Sequence, residues 1–237
     1  MRQLTLLILM TLTLLSQDIP ESFKNYKKYI LFDDGLWKVP LYLSPKLSKN
    51  AKIVNNIKDF DDESKKAIEI KIGTQKIKVS FSIGQSDDPA FIFRFKNLKD
   101  YITIDCDTKL FVSKSGFIYV INGSNTLYTS YKKYKLSKNE ITEVKQAFYK
   151  ISKTCKTSTL AKLYSKKCQK GTLVASIPKG RKVQILLADT KDSCSQGSNL
   201  REYLVETSFG LVGWVTSSEG YSPRVGKPLS CLMYQGD

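Results

Sequence analysis

The residue types that perform acid–base and nucleophilic chemistry are thinly spread in this chain, and one is missing. Its 237 residues include no histidine. Ser-His-Asp and Cys-His hydrolysis both need an imidazole base, and His-ligated zinc needs imidazole as a ligand. What remains is carboxylate, lysine-based or no catalysis. A lysine-assisted serine hydrolase needs Ser-x-x-Lys on a helix and a later Lys-Ser-Gly or Lys-Thr-Gly strand. Ser130-Tyr131-Lys132-Lys133 has the first spacing, but Lys114-Ser115-Gly116 comes before it. Both fall among turns and strands, and chance produces such matches in a Lys- and Ser-rich chain. Asp59, Asp61, Asp62 and Glu63 lack the central glycine of a calcium loop. Glycoside hydrolysis needs two carboxylates across a cleft, and the acids of the middle region sit mostly in turns. The chain therefore reads as a non-enzyme with no cofactor and no metal.

Binding chemistry is better represented. Tyr164, Tyr203 and Trp214 fall on expected strands, and such rings carry large apolar area with a polar handle suited to sugars and peptides. They are the candidate ligand-binding residues; core packing is the plainer use of each. The formal net charge is +16, with arginine only at positions 2, 94, 181, 201 and 224. Phosphate and base readers lean on the arginine fork, so nucleic acid is not an expected partner. Residues 131–170 hold twelve lysines against Glu140 and Glu143. Within that block Lys132, Lys133, Lys135, Lys166 and Lys167 form a candidate basic patch for anionic envelope material; a solvated face without a partner is the plainer alternative.

Five cysteines are present, and Cys155, Cys168, Cys194 and Cys231 cluster in or near the last third. These four are the disulfide candidates. They allow three pairings, and spacing does not choose among them. Cys106 is the odd fifth, outside any bridge or paired with Cys155. No CxxC spacing supports zinc or thioredoxin chemistry. Disulfides fit an exported protein, and residues 1–16 read as a secretory signal: Arg2, an apolar run from Leu4 to Leu15, then Ser16. That run is shorter than the roughly twenty residues of a membrane span. The expected location is periplasmic or secreted, with no transmembrane segment after cleavage.

The elements that would position these residues are strands, and the expected fold class is all-β. Residues 17–59 form an N-terminal segment in which Leu41-Tyr42 and Ile53-Val54 weakly echo Leu163-Tyr164 and Leu173-Val174, a possible degenerate repeat of the later unit. Residues 60–152 read as an antiparallel meander. Ile68, Ile70 and Ile72, then Ile77, Val79, Phe81 and Ile83, then Phe91, Phe93 and Phe95 all repeat with period two, the mark of half-buried strands. Further strands are expected at residues 110–112, 117–121 and 127–131, with Asn122-Gly123 as a hairpin turn. Ile141, Val144, Phe148 and Ile151 fit helical spacing, but the β surroundings favour a strand. Residues 153–159 read as a linker, 157–217 as a small barrel of five short strands and 218–237 as a tail.

Residues 158–217 resemble the bacterial SH3-like (SH3b) family. The resemblance rests on Gly171-Thr172-Leu173-Val174, Ile177-Pro178-Lys179-Gly180 before Val183-Gln184-Ile185-Leu186, Tyr203-Leu204-Val205 and Gly213-Trp214-Val215. The family's usual Asn-Val-Arg opening is replaced by Ala161-Lys162-Leu163-Tyr164. The resemblance implies a small β-barrel, a non-catalytic module that binds peptidoglycan or other cell-wall peptide or glycan material in a groove near such aromatics. Two other expectations stand beside it: an exported adaptor or inhibitor that engages an envelope protein through the middle β region, and a small-ligand barrel in that region.

Overall fold

The computed structural model describes residues 19–35, 38–55, 66–83, 89–96, 98–106, 109–123, 126–189, 194, 200–218 and 227–232. The expected signal segment and the acidic run from Asp59 to Glu63 lie outside the described residues. Among the described residues the fold is all-β, as expected, with only single turns of helix at Glu21–Phe23 and Pro45–Ser48. Among the described residues no helix is long and apolar enough to cross a membrane.

Strands β1 (Lys27–Asp33) and β2 (Lys38–Leu43) come first. Five strands follow: β3 (Lys52–Asn55), β4 (Lys66–Ile72), β5 (Gln75–Ser82), β6 (Ala90–Phe95) and β7 (Tyr101–Asp105). They pair in sequence order as one antiparallel meander. Strands β8 (Lys109–Val112), β9 (Phe117–Asn122), β10 (Ser130–Ser137) and β11 (Glu140–Glu143) then return to the first two, in the order β1-β2-β8-β9-β10-β11. The β2–β8 pair is parallel. Parallel neighbours need a long crossover connection, and here the whole five-stranded meander is that connection. The single meander expected over 60–152 is thus divided between these two sheets, and its last residues, from Phe148, enter a third. The two echoing segments of 17–59 also part company, since β2 and β3 lie in different sheets.

The alternation seen in the sequence explains how these two sheets meet. Ile68, Ile70, Ile77, Val79, Phe81, Phe91, Phe93 and Phe95 from one sheet share a buried core with Val39, Leu41, Leu43, Leu110, Val112, Ile118 and Val120 from the other. Burying one such side chain stabilises by about 1.5–3 kcal/mol, so the packed faces fix the register of both sheets. The first sheet is apolar on its other face too. Phe111 stacks on Tyr42 and Phe23 with centroids 4.7 and 4.4 Å apart, which binds the N-terminal segment down.

The last six strands are β12 (Phe148–Lys156), β13 (Ala161–Tyr164), β14 (Leu173–Ile177), β15 (Lys182–Asp189), β16 (Leu200–Thr207) and β17 (Val212–Ser218). They form one sheet in the order β12-β15-β16-β17-β13-β14. None of the three sheets is closed into a barrel; the C-terminal barrel expectation gives way to an open sheet with β12 and β14 at its edges. The residues read as a linker, 153–159, run through the end of β12, because Thr154 to Lys156 pair with Lys182 to Gln184 of β15. Turns at Gly180 and Gly210 separate strands of this sheet, each with positive φ. Asn122-Gly123 does not form a tight hairpin. It opens a longer loop that delivers Leu127 and Tyr128 into the core of the C-terminal sheet, beside Tyr203, Ile185 and Leu163.

Candidate functional site

The residues with surface chemistry gather on the face of the C-terminal sheet that points away from its core. Val183, Ile185 and Ala188 of β15, Tyr203 and Val205 of β16 and Val215 of β17 face inward. Period two then sends Asp189, Glu202, Trp214 and Thr216 to the opposite face. The ladder places Phe148 opposite Asp189, Glu202 opposite Thr216 and Leu204 opposite Trp214. Phe148 and Trp214 come within 5.8 Å, centroid to centroid, although β15 and β16 separate their strands in the sheet.

Lys167, from the β13–β14 loop, binds this group together. Its Nζ lies 4.8 Å from the Phe148 ring centre and 5.2 Å from that of Trp214. It also donates to Oδ2 of Asp189, whose side chain is 1% exposed. A buried carboxylate needs such a counter-charge, and the ring faces add cation–π attraction on the other side of the ammonium. The same loop carries Cys168, bridged to Cys194 in the β15–β16 loop. The disulfide therefore ties both loops down beside the aromatic pair. Oε1 of Glu202 accepts from the Thr216 hydroxyl and lies 3.2 Å from Cys194 Sγ. A bridged sulfur carries no proton, so the sulfur contact is packing and not a hydrogen bond. Cys168, Cys194 and Glu202 place their ligand atoms within 4.8 Å of one another, the one such metal-capable group among the described residues. With both sulfurs in the bridge it presents no thiolate to a metal.

Trp214 and Lys167 are thus brought together, and Cys168 and Cys194 pair beside them. Tyr164 is half-buried at the end of β13, the strand partner of Trp214. Tyr203 is 0% exposed and packs edge-on to Tyr128, 6.5 Å between centroids. Its ring serves the core and offers no surface to a ligand. Cys155 pairs with Cys231, which holds the C-terminal residues against β12. Cys106 is buried outside both bridges, its thiol 3.3 Å from the Ile121 carbonyl.

The lysine block does not fold as one face. Lys132, Lys133 and Lys135 lie on β10 of the first sheet, and Lys166 and Lys167 in a loop of the last. Lys133 is spent on the Phe117 ring, 4.1 Å from its centre. Lys135 and Lys166 are exposed, and Lys132 is half-buried. Phe148, Asp189 and Glu202 escaped the sequence reading. Phe148 was hidden in an apparent helical spacing; Asp189 and Glu202 carry no local signal, because only the pairing of β12, β15 and β16 makes them neighbours.

No family model matches the chain, and neither a curated protein nor a solved structure does.

Proposed function

We propose that the chain is an exported, non-catalytic envelope protein whose C-terminal sheet, an SH3-like module by resemblance, binds peptidoglycan or related cell-wall peptide or glycan. The observation that carries this reading is the partly exposed Phe148–Trp214 pair, held rigid by Lys167, Asp189 and the Cys168–Cys194 bridge. A rigid aromatic platform binds a sugar or peptide face with little ordering cost. The exposed Lys166 and Lys170 on the adjoining loop supply counter-charge for the carboxylates of wall peptides. Two disulfides support export.

Co-sedimentation of residues 17–237 with isolated peptidoglycan sacculi tests the reading. Pelleting at 0.05 M NaCl that survives about 0.5 M, where surface charges are screened, is expected. It should fall about tenfold or more in Trp214→Ala and in Phe148→Ala. Pelleting that vanishes with salt, or that ignores both substitutions, would reduce the interaction to general attraction by lysines. The C-terminal module cannot be cut at residue 157 for this purpose. Such a cut removes β12, and with it Phe148 and the partner of Cys231.

A further inference from the structure

The turn between β16 and β17 is apolar where turns are ordinarily polar. It runs Thr207-Ser208-Phe209-Gly210 and is closed by the Gly210 N–H, which donates to the Thr207 carbonyl at 2.9 Å. Gly210 takes a φ of 91°, the left-handed position that ends a three-residue hairpin loop. The Thr207 N–H donates to the Leu211 carbonyl at 2.9 Å, and the Leu211 N–H donates to the Thr207 hydroxyl at 3.0 Å. These bonds hold the loop in one shape. Gly, Pro, Asn, Asp and Ser dominate such positions, yet this loop presents Phe209, 87% exposed, followed by the exposed Leu211 and Val212. Single apolar side chains on a surface are ordinary, but a contiguous run rimmed by charge marks a contact site.

The rim is cationic. Val183 of β15 pairs with Thr207, so the start of β15 borders the turn. Lys182 at that start pairs with Lys156 of β12. Arg181 and Lys179 reach the same end through Thr157, whose N–H donates to the Arg181 carbonyl and whose carbonyl accepts from the Gly180 N–H. All four cations are exposed. Lys156 and Lys182 stand directly opposite each other, and like charges so placed are destabilising. The acid along these paired strands is Glu206, half-buried, opposite Gln184 and Val212 and diagonal to Lys182. Four cations therefore share this end with one carboxylate.

We propose that the β16–β17 turn is a membrane-contact finger: Phe209 and Leu211 enter the interface of an anionic lipid bilayer, and Lys156, Lys179, Arg181 and Lys182 meet its headgroup phosphates. An apolar tip beside a basic collar has the two parts that interfacial binding needs, buried apolar area and attraction to anionic lipid. Neither part suffices alone, so the two reinforce each other. The fixed loop lowers the ordering cost, because the ring is already held away from the sheet. A folded protein partner fits less well. A stable protein interface takes about 800 Å² from each side, and this run is three side chains at a turn. The inference makes no use of the Phe148–Trp214 pair, and its test contains no peptidoglycan.

Flotation of residues 17–237 with extruded vesicles tests the assignment. That span keeps every described residue and omits the apolar run Leu4 to Leu15, which would enter a bilayer by itself. At 0.15 M NaCl, phosphatidylcholine vesicles with about 30% phosphatidylglycerol should bind at least tenfold more tightly than phosphatidylcholine alone. Phe209→Ser should keep the native urea midpoint and weaken binding about fivefold or more. Each cation near an anionic surface is worth about fivefold, so Lys156→Gln with Lys182→Gln should weaken binding about tenfold or more. Lys49→Gln with Lys52→Gln, and separately Ile53→Ser, make the same kinds of change at exposed positions in and before β3, and each should cost less than twofold. Phe209→Trp in a chain with Trp37→Phe and Trp214→Phe puts the one tryptophan at the tip. Its emission should shift to the blue on vesicles and be quenched by brominated acyl chains. A tip tryptophan that stays unquenched while the protein floats would overturn the finger. Equal losses in the two lysine pairs would reduce the binding to net charge. Equal flotation with neutral vesicles would remove the collar. Polyglutamate that competes as well as anionic vesicles, charge for charge, would replace the bilayer with an acidic peptide, and no flotation would end the proposal.

Discussion

Lys167 is the residue on which the aromatic site depends. It neutralises Asp189 and fills the space against two rings at once. Removing one partner of a buried pair leaves the other charge uncompensated, at about 3–5 kcal/mol when both are fully buried. The Lys167 side chain is 32% exposed, so about 2–3 kcal/mol is expected for Lys167→Met by urea unfolding. The double variant Lys167→Met, Asp189→Leu should recover most of that loss; if it is no more stable than the single variant, the pair is not the cause. Two tyrosines add a dependence on alkaline pH. Burial holds the phenols of Tyr134 and Tyr149 well above their ordinary range, and Tyr149 also donates to Glu143 at 2.8 Å. A folded-state value raised above the unfolded one favours the protonated form. The stability it contributes is complete below about pH 10 and is lost as the pH climbs toward the folded values. Melting temperature should therefore fall above pH 10 more steeply in the native chain than in Tyr149→Phe; matching slopes would remove Tyr149 as the cause. Residue type alone separated these roles poorly. Tyr203 and Trp214 look equivalent in the sequence, yet alternation on neighbouring strands sends one ring to the core and the other outward.

At the scale of elements, the meeting of β13 and β17 decides the shape of the site. They touch at one ladder pair, Tyr164 with Trp214. Gly213 makes that approach possible: a Cβ there would lie 2.9 Å from Leu163 Cβ and 3.1 Å from the Tyr164 carbonyl oxygen. Gly213→Ala should cost about 1–3 kcal/mol, the range of an overpacked contact, and should weaken sacculus binding by moving Trp214. A variant with native stability and binding would show that β17 has slack there. The two bridges close loops of different length, with sequence separations of 76 and 26. Chain entropy gives each about 3–4.5 kcal/mol, more for the longer loop. Cys155→Ser with Cys231→Ser should thus lower the melting temperature more than Cys168→Ser with Cys194→Ser, whereas the shorter loop's loss should do more damage to binding. The reverse order in both assays would contradict these roles. Strand content was legible because Ile, Val and Phe alternate so regularly from residue 68 to 95. Sheet membership was not, since nothing local in β8 announces a parallel partner some seventy residues earlier. The stretch around Phe148 is strand, as its β surroundings imply, but its helical spacing hid a break, because Ile141 and Phe148 belong to strands of two different sheets.

Across the whole molecule, the C-terminal sheet is joined to the first sheet by specific contacts. Leu127 and Tyr128 reach into its core, and Tyr149 of β12 bonds to Glu143 of β11. These contacts brace the sheet that carries the aromatic platform against the first sheet. The chain passes from the first sheet to the last through Val144 to Ala147, the short connection between β11 and β12. The most direct measurement of the central claim uses the chain's own reporters, since Trp37 and Trp214 are its only tryptophans. In Trp37→Phe the emission comes from Trp214 alone. Titration of that variant with solubilised peptidoglycan fragments should give a saturable quench or blue shift that persists at 0.5 M NaCl. An emission spectrum that does not change, while sacculi still pellet the protein, would contradict the placement of the ligand on the Phe148–Trp214 face.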